Sequence, residues 1–357
     1  MHITSVKILY RQLKFKFQAG TSRGKLKYKD TWYLRLYTGV ELIGTGEAGP
    51  LAGLSLESVE AMPVELARVQ QELEGIRLPT NMDEVIAVVS QTCRKEFPSI
   101  QFAVETALLD AMHGGRKMMF QTDFRKNEKR IPINGLVWMG DKDFMQMQIK
   151  AKIAAGYDCI KMKIGAIDFE AEIALLASIR DKYSKDKMTL RVDANGAFTA
   201  NEALGKLKRL AALGLHSIEQ PIKAGQVEKM AALCSQTPLP IALDEELIGI
   251  HSKEEKLALL EKIRPQYIVL KPSLIGGIAS TFEWVDIAES LNIGWWMTSM
   301  LESNIGLNAI CQLADYLQVV MPQGLGTGQL YLNNVDSPLT IENGEIFYDQ
   351  SKEWAQL

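Results

Sequence analysis

Residues 159–165 read CIKMKIG and combine a short apolar run with two lysines. Side chains alternate between the two faces of a strand, so Lys161 and Lys163 must point to the same side. An exposed sheet edge would accommodate two solvated ammonium groups, but a strand within a closed parallel barrel has no free edge. The stretch therefore predicts a buried strand whose lysines face an enclosed polar site.

Seven further apolar segments accompany this strand along the chain. Corresponding points recur about every 25–30 residues, the length that a strand and a crossover helix need. Eight strand candidates separated by seven helices predict a closed (β/α) barrel with a truncated last unit. The candidates are residues 131–139, 159–165, 189–196, 216–221, 240–246, 267–273, 293–303 and 322–328.

The N-terminal part of the chain has a different pattern. Residues 1–18 and 31–47 alternate as antiparallel strands do, and a polar loop is expected between them. Helical patterns follow at about 56–73 and 99–113, and a charged linker at 123–130 leads into the barrel. This part is predicted to be an α+β unit, against which the C-terminal tail returns to pack.

The amino-acid composition restricts the class of protein to which this chain can belong. Of 357 residues, 47% are apolar and 23% charged, which is typical of a soluble globular protein with a sizeable core. The net charge of -3 without a long basic run argues against nucleic acid as a partner, and no apolar run is long enough for a membrane span. Four scattered cysteines and the lack of a secretory signal pattern predict a cytoplasmic protein with reduced thiols.

Three acidic residues stand at equivalent ends of successive strand candidates: Asp193, Glu219 and Asp244. Neighbouring strands lie about 4.8 Å apart, so these carboxylates would converge, repel one another and lose hydration. Each acid alone would be compatible with capping the helix that follows its strand. Three in register with lysines on both flanks instead favour a divalent cation with oxygen ligands, Mg²⁺ or alternatively Mn²⁺.

Lysines flank the predicted carboxylate cluster. Lys161 and Lys163 lie on one side and Lys271 on the other, whereas no histidine stands at a strand end beside the acids. Acid–base chemistry would therefore fall to lysine or carboxylate. A free lysine has a pKa of about 10.4. A second ammonium, burial and a nearby cation each favour the neutral amine that a general base requires.

Two glycine-rich stretches need separate interpretation. Residues 44–49, GTGEAG, match a dinucleotide-binding pattern, but Pro50 follows and Glu47 would repel a pyrophosphate, so a loop closing over a neighbouring site is favoured. Residues 322–328, PQGLGTG, lie where barrels often bind anions through backbone N–H groups. A simple turn after the last strand is equally compatible with this second stretch.

The order of lysines and carboxylates resembles the enolase superfamily, in particular its muconate-cycloisomerase subgroup and, within that, the o-succinylbenzoate synthase family. The resemblance spans nearly the whole chain, and the pattern of lysines and acids is specific for the subgroup. The segments that carry it are residues 19–24, 46–55, 99–110, 132–140, 160–165, 191–198, 218–221, 242–246, 270–273, 299–306 and 324–328.

The resemblance implies an α/β fold, a modified TIM barrel (β/α)7β with an N-terminal α+β capping domain completed by the C-terminal tail. The expected boundaries are 1–127 for the capping domain, 128–328 for the barrel and 329–357 for the returning segment. Loops 19–24 and 46–55 of the capping domain would close over the substrate and exclude water.

The resemblance also implies residue roles. The three carboxylates would bind Mg²⁺, and Lys163 would remove the proton α to the substrate carboxylate. Lys271 would stabilise the anionic intermediate, and Lys161 would lower the pKa of Lys163 and contact the carboxylate. Superfamily members with a lysine base and metal-stabilised intermediates are a known pattern. Substrate contacts are expected from Asn195, Ser299, Ser303, Gly324, Ser22 and Arg23.

The implied reaction is dehydration of 2-succinyl-6-hydroxy-2,4-cyclohexadiene-1-carboxylate to o-succinylbenzoate, through a metal-stabilised enediolate, in menaquinone biosynthesis. N-succinylamino-acid racemisation and muconate-type cycloisomerisation use the same lysines and metal, so both remain open as alternative reactions.

Residues 299–301 lack the paired acids of dipeptide epimerases, which argues against a dipeptide substrate. A barrel that binds an anion without chemistry is disfavoured because both Lys163 and Lys271 are present. The partner is thus a small carboxylate, and homo-oligomerisation is left open.

Overall fold

The structure is a computed structural model that describes residues 1–21 and 24–357. It consists of an N-terminal sheet with three helices, a parallel barrel and a C-terminal hairpin. This is the predicted modified TIM barrel with an N-terminal α+β domain, and the prediction of fold class is confirmed. In the described part of the chain, no helix has the length and apolar character that crossing a membrane would need.

The N-terminal domain begins with a long antiparallel hairpin. Its three strands pair in the order β1-β2-β3, and three helices follow. The elements are β1 Ser5–Thr21, β2 Gly24–Thr38, β3 Glu41–Ala48, α1 Met62–Leu73, α2 Met82–Thr92 and α3 Pro98–Met112.

Two sequence expectations for this domain were wrong. In the polar stretch expected to be a loop, residues 19–21 and 24–30 are strand, and Ala19 pairs with Leu26 just as Lys14 pairs with Tyr28. Its polarity reflects one exposed face of the hairpin rather than a turn. Helix α2 was not predicted, although Asn81 caps it by accepting a hydrogen bond from the Glu84 N–H at 2.9 Å.

Close packing of α3 on β3 explains the glycines at 44 and 46. A Cβ on Gly46 would lie 1.8 Å from the carbonyl oxygen of Ala103, and one on Gly44 would lie 2.2 Å from that of Ala107. Any side chain at these positions would therefore force helix and strand apart. The GxGxxG pattern here serves helix–strand packing.

The barrel is built from strands that alternate with seven helices. Strands β5 to β11 form one parallel sheet in consecutive order. These strands are β5 Gly135–Val137, β6 Cys159–Lys163, β7 Thr189–Asp193, β8 Ser217–Glu219, β9 Ile241–Leu243, β10 Tyr267–Leu270 and β11 Gly294–Met297, and they are preceded by β4 Ile131–Pro132, which pairs outside this sheet. The helices are α4 Lys142–Ala154, α5 Phe169–Arg180, α6 Ala200–Ala211, α7 Val227–Gln236, α8 Lys253–Ile263, α9 Gly277–Ser290 and α10 Asn304–Tyr316.

Two residues close the ring. Gln323 forms a parallel bridge with Ile133, just before β5, and Gly324 forms one with Thr298, just after β11. The Gly324 N–H donates to the Met297 carbonyl at 2.8 Å. The expected eighth strand is thus reduced to this pair, and a 3₁₀ turn at Gly326–Gln329 follows directly.

The C-terminal segment joins both parts of the molecule. Its hairpin, β12 Leu339–Glu342 and β13 Glu345–Tyr348, pairs with β4. Beyond the hairpin, Arg35 of β2 donates to the Leu357 carbonyl at 3.3 Å. The tail therefore contacts the N-terminal domain as expected, while the boundaries at 127/128 and 328/329 stay predictions.

Two buried carboxylates of the N-terminal domain dock onto barrel helices. Glu105 of α3 accepts hydrogen bonds from the backbone N–H groups of Ile278 and Ala279 in the first turn of α9. Free N–H groups and the helix dipole make a helix N-terminus favourable for a carboxylate. Burial nevertheless raises the pKa of Glu105 to about 7, although the two N–H groups oppose this.

Glu47 of β3 makes the corresponding contact with α10. It accepts from the backbone N–H groups of Ser303 at 2.7 Å and Gly306 at 2.8 Å, and from the Ser303 hydroxyl at 2.6 Å. Thr31 of β2 also donates to Glu47 at 3.0 Å. The domains are thus joined by hydrogen bonds at two consecutive helix N-termini.

Candidate active site

Strand register aligns the predicted site residues at the carboxyl end of the barrel. Lys163 of β6 pairs with Asp193 of β7, which pairs with Glu219 of β8. Side chains of adjacent in-register residues in a sheet share a face, so these three groups lie side by side. The charged groups at this end, hereafter the rim cluster, are all buried: Lys161, Lys163, Asp193, Glu219, Asp244 and Lys271.

Each lysine of the rim cluster contacts a carboxylate. Lys161 Nζ lies 3.2 Å from Asp193 Oδ2 and also donates to Glu219 Oε2. Lys163 Nζ lies 2.9 Å from the same Asp193 oxygen. On the other flank, Lys271 donates to Asp244 Oδ2. The predicted lysines and carboxylates are therefore brought together in one compact group.

These contacts set the charge states within the cluster. Burial alone would raise the pKa of Asp193, but the ammonium groups of Lys161 and Lys163 outweigh it and hold that pKa well below its usual range. Burial alone would lower the pKa of Lys161, but Asp193 and Glu219 raise it above the usual range. The pKa of Lys271 is likewise raised by Asp244, against burial. Burial raises the pKa of Asp244 well above its usual range, although Lys271 opposes this. Lys161 is thus an ammonium ion beside carboxylates, and Lys271 shares a proton-rich pair with Asp244.

The donor set of the rim cluster fits a divalent cation. Its three carboxylates offer only oxygen ligands, which Mg²⁺ prefers, and the buried Glu219 Oε1 has no hydrogen-bond partner among the described residues. As they stand, no three acidic, histidine or cysteine side chains of residues 1–21 and 24–357 are grouped closely enough to hold a metal. Ammonium groups supply the neutralising charge in this arrangement. Asp193, Glu219 and Asp244 would hold the cation.

Two amide side chains adjoin the rim cluster. Asn195 accepts from Lys163 Nζ at 2.7 Å and donates to Glu245 at 3.0 Å. Gln220 accepts from the Asp244 backbone N–H at 3.1 Å and so fixes the backbone that carries this carboxylate. Asn195 and Gln220 have positive φ angles of 44° and 39°, a backbone conformation that residues other than glycine rarely adopt. Gln220 was not predicted as a site residue, although it directly follows Glu219.

A cavity opens beside the rim cluster. Of the predicted substrate contacts, Asn195, Ser299 and Gly324 line it. The other lining residues were not predicted individually, although most lie in segments 46–55, 132–140, 299–306 and 324–328, because a motif locates a segment without showing which of its side chains face a cavity. These are Leu51, Leu54, Asn134, Leu136, Trp138, Lys152, Tyr157, Thr298, Met300, Leu301, Gly326, Thr327 and Leu330.

Several predicted substrate contacts need correction. Ser303 is buried outside the cavity lining, where its hydroxyl caps α10 and donates to Glu47, so it joins domains instead. Gly324 lines the cavity, but its N–H is used in closing the barrel, and a Cβ there would lie 1.7 Å from the Thr298 hydroxyl. Gly324 therefore allows close packing against Thr298, and its N–H group is not free to bind an anion. Ser22 and Arg23 lie outside the described residues.

Comparison with known proteins gives concordant matches. Residues 145–350 match the family model described as enolase C-terminal domain-like. An o-succinylbenzoate synthase of Desulfotalea psychrophila is 47% identical over 96% of this chain and 99% of that protein.

Solved structures match over nearly the full length as well. The crystal structure of MenC from Desulfotalea psychrophila LSv54 has a TM-score of 0.85 at 45% identity, over 96% of this chain and 100% of that one. A dipeptide epimerase from Enterococcus faecalis, crystallised with Mg and the dipeptide L-Leu-L-Tyr, has a TM-score of 0.85 at 23% identity, over 97% of each chain. The second match bears on the fold alone.

Proposed function

Because this chain belongs to the enolase superfamily and is an enzyme of the lyase class, we propose that it dehydrates 2-succinyl-6-hydroxy-2,4-cyclohexadiene-1-carboxylate to o-succinylbenzoate. The observation that carries the proposal is the placement of Lys163 and Lys271 at one cavity, each in contact with a carboxylate of the predicted metal-binding set. Full-length similarity to an o-succinylbenzoate synthase supports this reaction over others of the superfamily. A role in menaquinone biosynthesis and a cytoplasmic location belong to the same proposal.

Proton transfer is assigned to Lys163. Lys163 lines the cavity, and as the general base it takes the proton from the carbon α to the substrate carboxylate. The same group then gives this proton to the leaving hydroxyl, so that water departs and the ring becomes aromatic. One lysine thus serves as base and acid, and no proton is gained or lost overall.

Stabilisation of the added negative charge is assigned to the remaining cationic groups. Lys271 enters the cavity from β10, across the barrel from Lys163 on β6, and its ammonium favours the anionic intermediate. The ammonium group of Lys161 binds the substrate carboxylate. Asp193, Glu219 and Asp244 would hold a divalent cation, which would supply further positive charge to stabilise the anionic intermediate.

Apolar residues complete the cavity. Leu51 and Leu54 come from the N-terminal domain, whereas Trp138 and Met300 come from the barrel. Such a lining removes water from the reacting carbon and strengthens the electrostatic contacts within the site. The two domains therefore share one substrate chamber.

An absorbance assay tests the proposal. The purified protein is incubated with the cyclohexadiene substrate at saturating Mg²⁺, and parallel samples receive a chelator. We expect formation of o-succinylbenzoate that depends on the cation. No turnover at saturating Mg²⁺ would refute the proposed reaction.

A second assay separates the alternatives. An N-succinylamino acid is incubated with the protein in D₂O, and exchange of its α-proton is followed by NMR. Exchange slower than dehydration is expected. Exchange faster than dehydration would instead assign the site to N-succinylamino-acid racemisation, and lactone formation from muconate would assign it to cycloisomerisation.

A further inference from the structure

Residues 49–58, hereafter the cover segment, connect β3 to the helices of the N-terminal domain. The segment folds into a turn in which the N–H groups of Leu54 and Ser55 both donate to the Leu51 carbonyl at 3.0 Å. Leu51 and Leu54 line the cavity, and the Ser55 hydroxyl contacts the sulfur of Met300 at 3.7 Å. The position of this turn therefore shapes the substrate chamber.

A buried lysine lies behind the cover segment. Lys29 of β2 is only 2% exposed, and its Nζ has no hydrogen-bond partner in the part of the chain that the structure describes. A Cβ built on Gly49, the first residue of the segment, would lie 2.9 Å from this nitrogen. The ammonium group is thus packed directly against the backbone where the segment begins.

Three buried carboxylates attract this lysine electrostatically and, with it, form the interface cluster: Lys29, Glu47, Glu57 and Glu302. Burial lowers the pKa of Lys29, and attraction to each of the three carboxylates opposes this. Glu47 precedes the cover segment, Glu57 lies near its end, and Glu302 belongs to the barrel. Lys29 therefore attracts acidic groups at both ends of the cover segment and one acidic group of the barrel.

The carboxylates are held by neutral donors. Glu57 accepts from the Ser99 N–H at 3.0 Å, and its second oxygen has no partner within residues 1–21 and 24–357. Glu302 accepts from the hydroxyl groups of Ser273 and Ser299, and Ser299 lines the cavity. Burial raises the pKa of the Glu57 carboxyl, and the attraction to Lys29 is among the causes that oppose this. Lys29 therefore attracts these acids without a hydrogen bond to any of them in the described part of the chain.

We propose that Lys29 is a positioning residue: its buried charge draws the two acidic ends of the cover segment and Glu302 together, which fixes Leu51 and Leu54 over the cavity and Ser299 at its wall. The inference rests on the proposed function for its kinetic consequence only. Lys29 touches neither the cavity nor the rim cluster, so its effect reaches substrate through the cover segment.

Loss of this charge has a defined consequence. Without the ammonium, Glu47, Glu57 and Glu302 repel one another in a medium of low dielectric, and the cover segment moves outward. Lys163 and its neighbours keep their contacts. Substrate is then held less well, while the bound complex reacts at nearly the normal rate, so KM rises and kcat changes little.

The first experiment measures the cover segment without any substrate. Amide hydrogen exchange is followed by mass spectrometry in the wild-type protein, in Lys29→Met and in Lys256→Met. Lys256 is a matched control because it is equally buried but bonds Ser280 at 2.7 Å and Glu283 at 2.6 Å, away from the cavity. We expect at least about tenfold faster exchange in peptides covering 49–58 for Lys29→Met alone. Equal exchange in both variants would overturn the inference.

The second experiment uses the dehydration assay. Lys29→Met should raise KM about tenfold with kcat within about twofold, Lys29→Arg should restore most of the loss, and Lys256→Met should leave KM unchanged. An unchanged KM in Lys29→Met, or a loss in kcat alone, would contradict the inference. Should Lys29→Met fail to fold, Glu57→Gln keeps the side-chain shape and is expected to raise KM about threefold. Hydrogen exchange needs no turnover, so it still decides the inference if the proposed reaction is wrong.

Discussion

The rim cluster and the interface cluster are both groups of buried lysines and carboxylates, yet they are stabilised differently. In the rim cluster every lysine contacts a carboxylate directly, and the group borders a cavity. In the interface cluster the acids are held mainly by backbone N–H and hydroxyl donors, and Lys29 bonds none of them.

The difference teaches what each buried charge can do. Ion pairs beside a cavity can exchange one partner for a ligand, because the ligand restores the charge balance that is lost. Carboxylates fixed by helix N-termini have no such freedom, since an unpaired N–H or carboxylate would remain buried. The first arrangement suits chemistry, and the second holds domains in place.

Removal of the divalent cation should have the largest effect and should act on the rim cluster alone. We expect a chelator to reduce turnover to background and added Mg²⁺ to restore it, because the carboxylates would otherwise remain neutralised only by lysine. Absorbance assays before and after dialysis measure this. Thermal unfolding should show the chelated protein still folded; undiminished turnover in the chelator would argue against a metal-dependent reaction.

Substitution of the proposed base should come next. Lys163→Ala is expected to lower kcat about 10³-fold, since general base catalysis contributes about that much. Its unfolding midpoint should stay near that of the wild type because Asp193 keeps its contact with Lys161. Lys256→Ala removes a buried lysine outside the cavity and should retain turnover per folded molecule. Turnover by Lys163→Ala at the wild-type rate would remove Lys163 from the mechanism.

Gly46→Ala should affect stability rather than chemistry. The added Cβ would lie 1.8 Å from the Ala103 carbonyl, so α3 and β3 must separate. We expect a loss of about 3 kcal/mol in the free energy of unfolding, measured with denaturant. Gly205→Ala is a suitable control, because nothing lies within 4 Å of a Cβ there. Equal stability of the two variants would contradict the packing described for this sheet.

The smallest expected effect concerns Glu105 at the N-terminus of α9. Its folded-state pKa of about 7 lies above the ordinary value of 4.5, so between these values the folded protein binds the additional proton. Stability therefore falls as pH rises, with about 2 kcal/mol lost between pH 5 and pH 7. Glu105→Gln should lack this contribution. Urea unfolding at several pH values measures the difference between wild type and variant, and a difference independent of pH would contradict the expectation.

The barrel could be predicted because the sequence pattern of each strand–helix unit is local and recurs along the chain. The strands from β6 onward carry an apolar run followed by a polar residue at the carboxyl end, and the regular spacing of units requires a parallel sheet. The positions of Lys161, Lys163 and Asp193 in one group follow from that topology alone. Because adjacent parallel strands align their carboxyl ends, residues at equivalent positions of successive strands lie close together in space. The members of the rim cluster could therefore be predicted from the sequence.

Features that depend on contacts between distant segments were not predictable. The capping of α10 by Glu47 joins residues more than two hundred positions apart, and nothing near Ser303 distinguishes a domain contact from a substrate contact. Lys29 looks like one more lysine of a basic hairpin until its burial is known. The hairpin itself was misjudged at 19–21 and 24–30, because polar residues on an exposed strand face resemble those of a loop.

Closure of the barrel by Gln323 and Gly324 bears on the order in which the molecule can form. These two residues follow all seven barrel helices in the chain, so the ring stays open during synthesis until they emerge. Before that moment β5 and β11 both present unpaired edges, which invite association with other chains. The enclosed site can therefore form only after these two residues have been synthesised, because their backbone bridges close the curved sheet into a barrel.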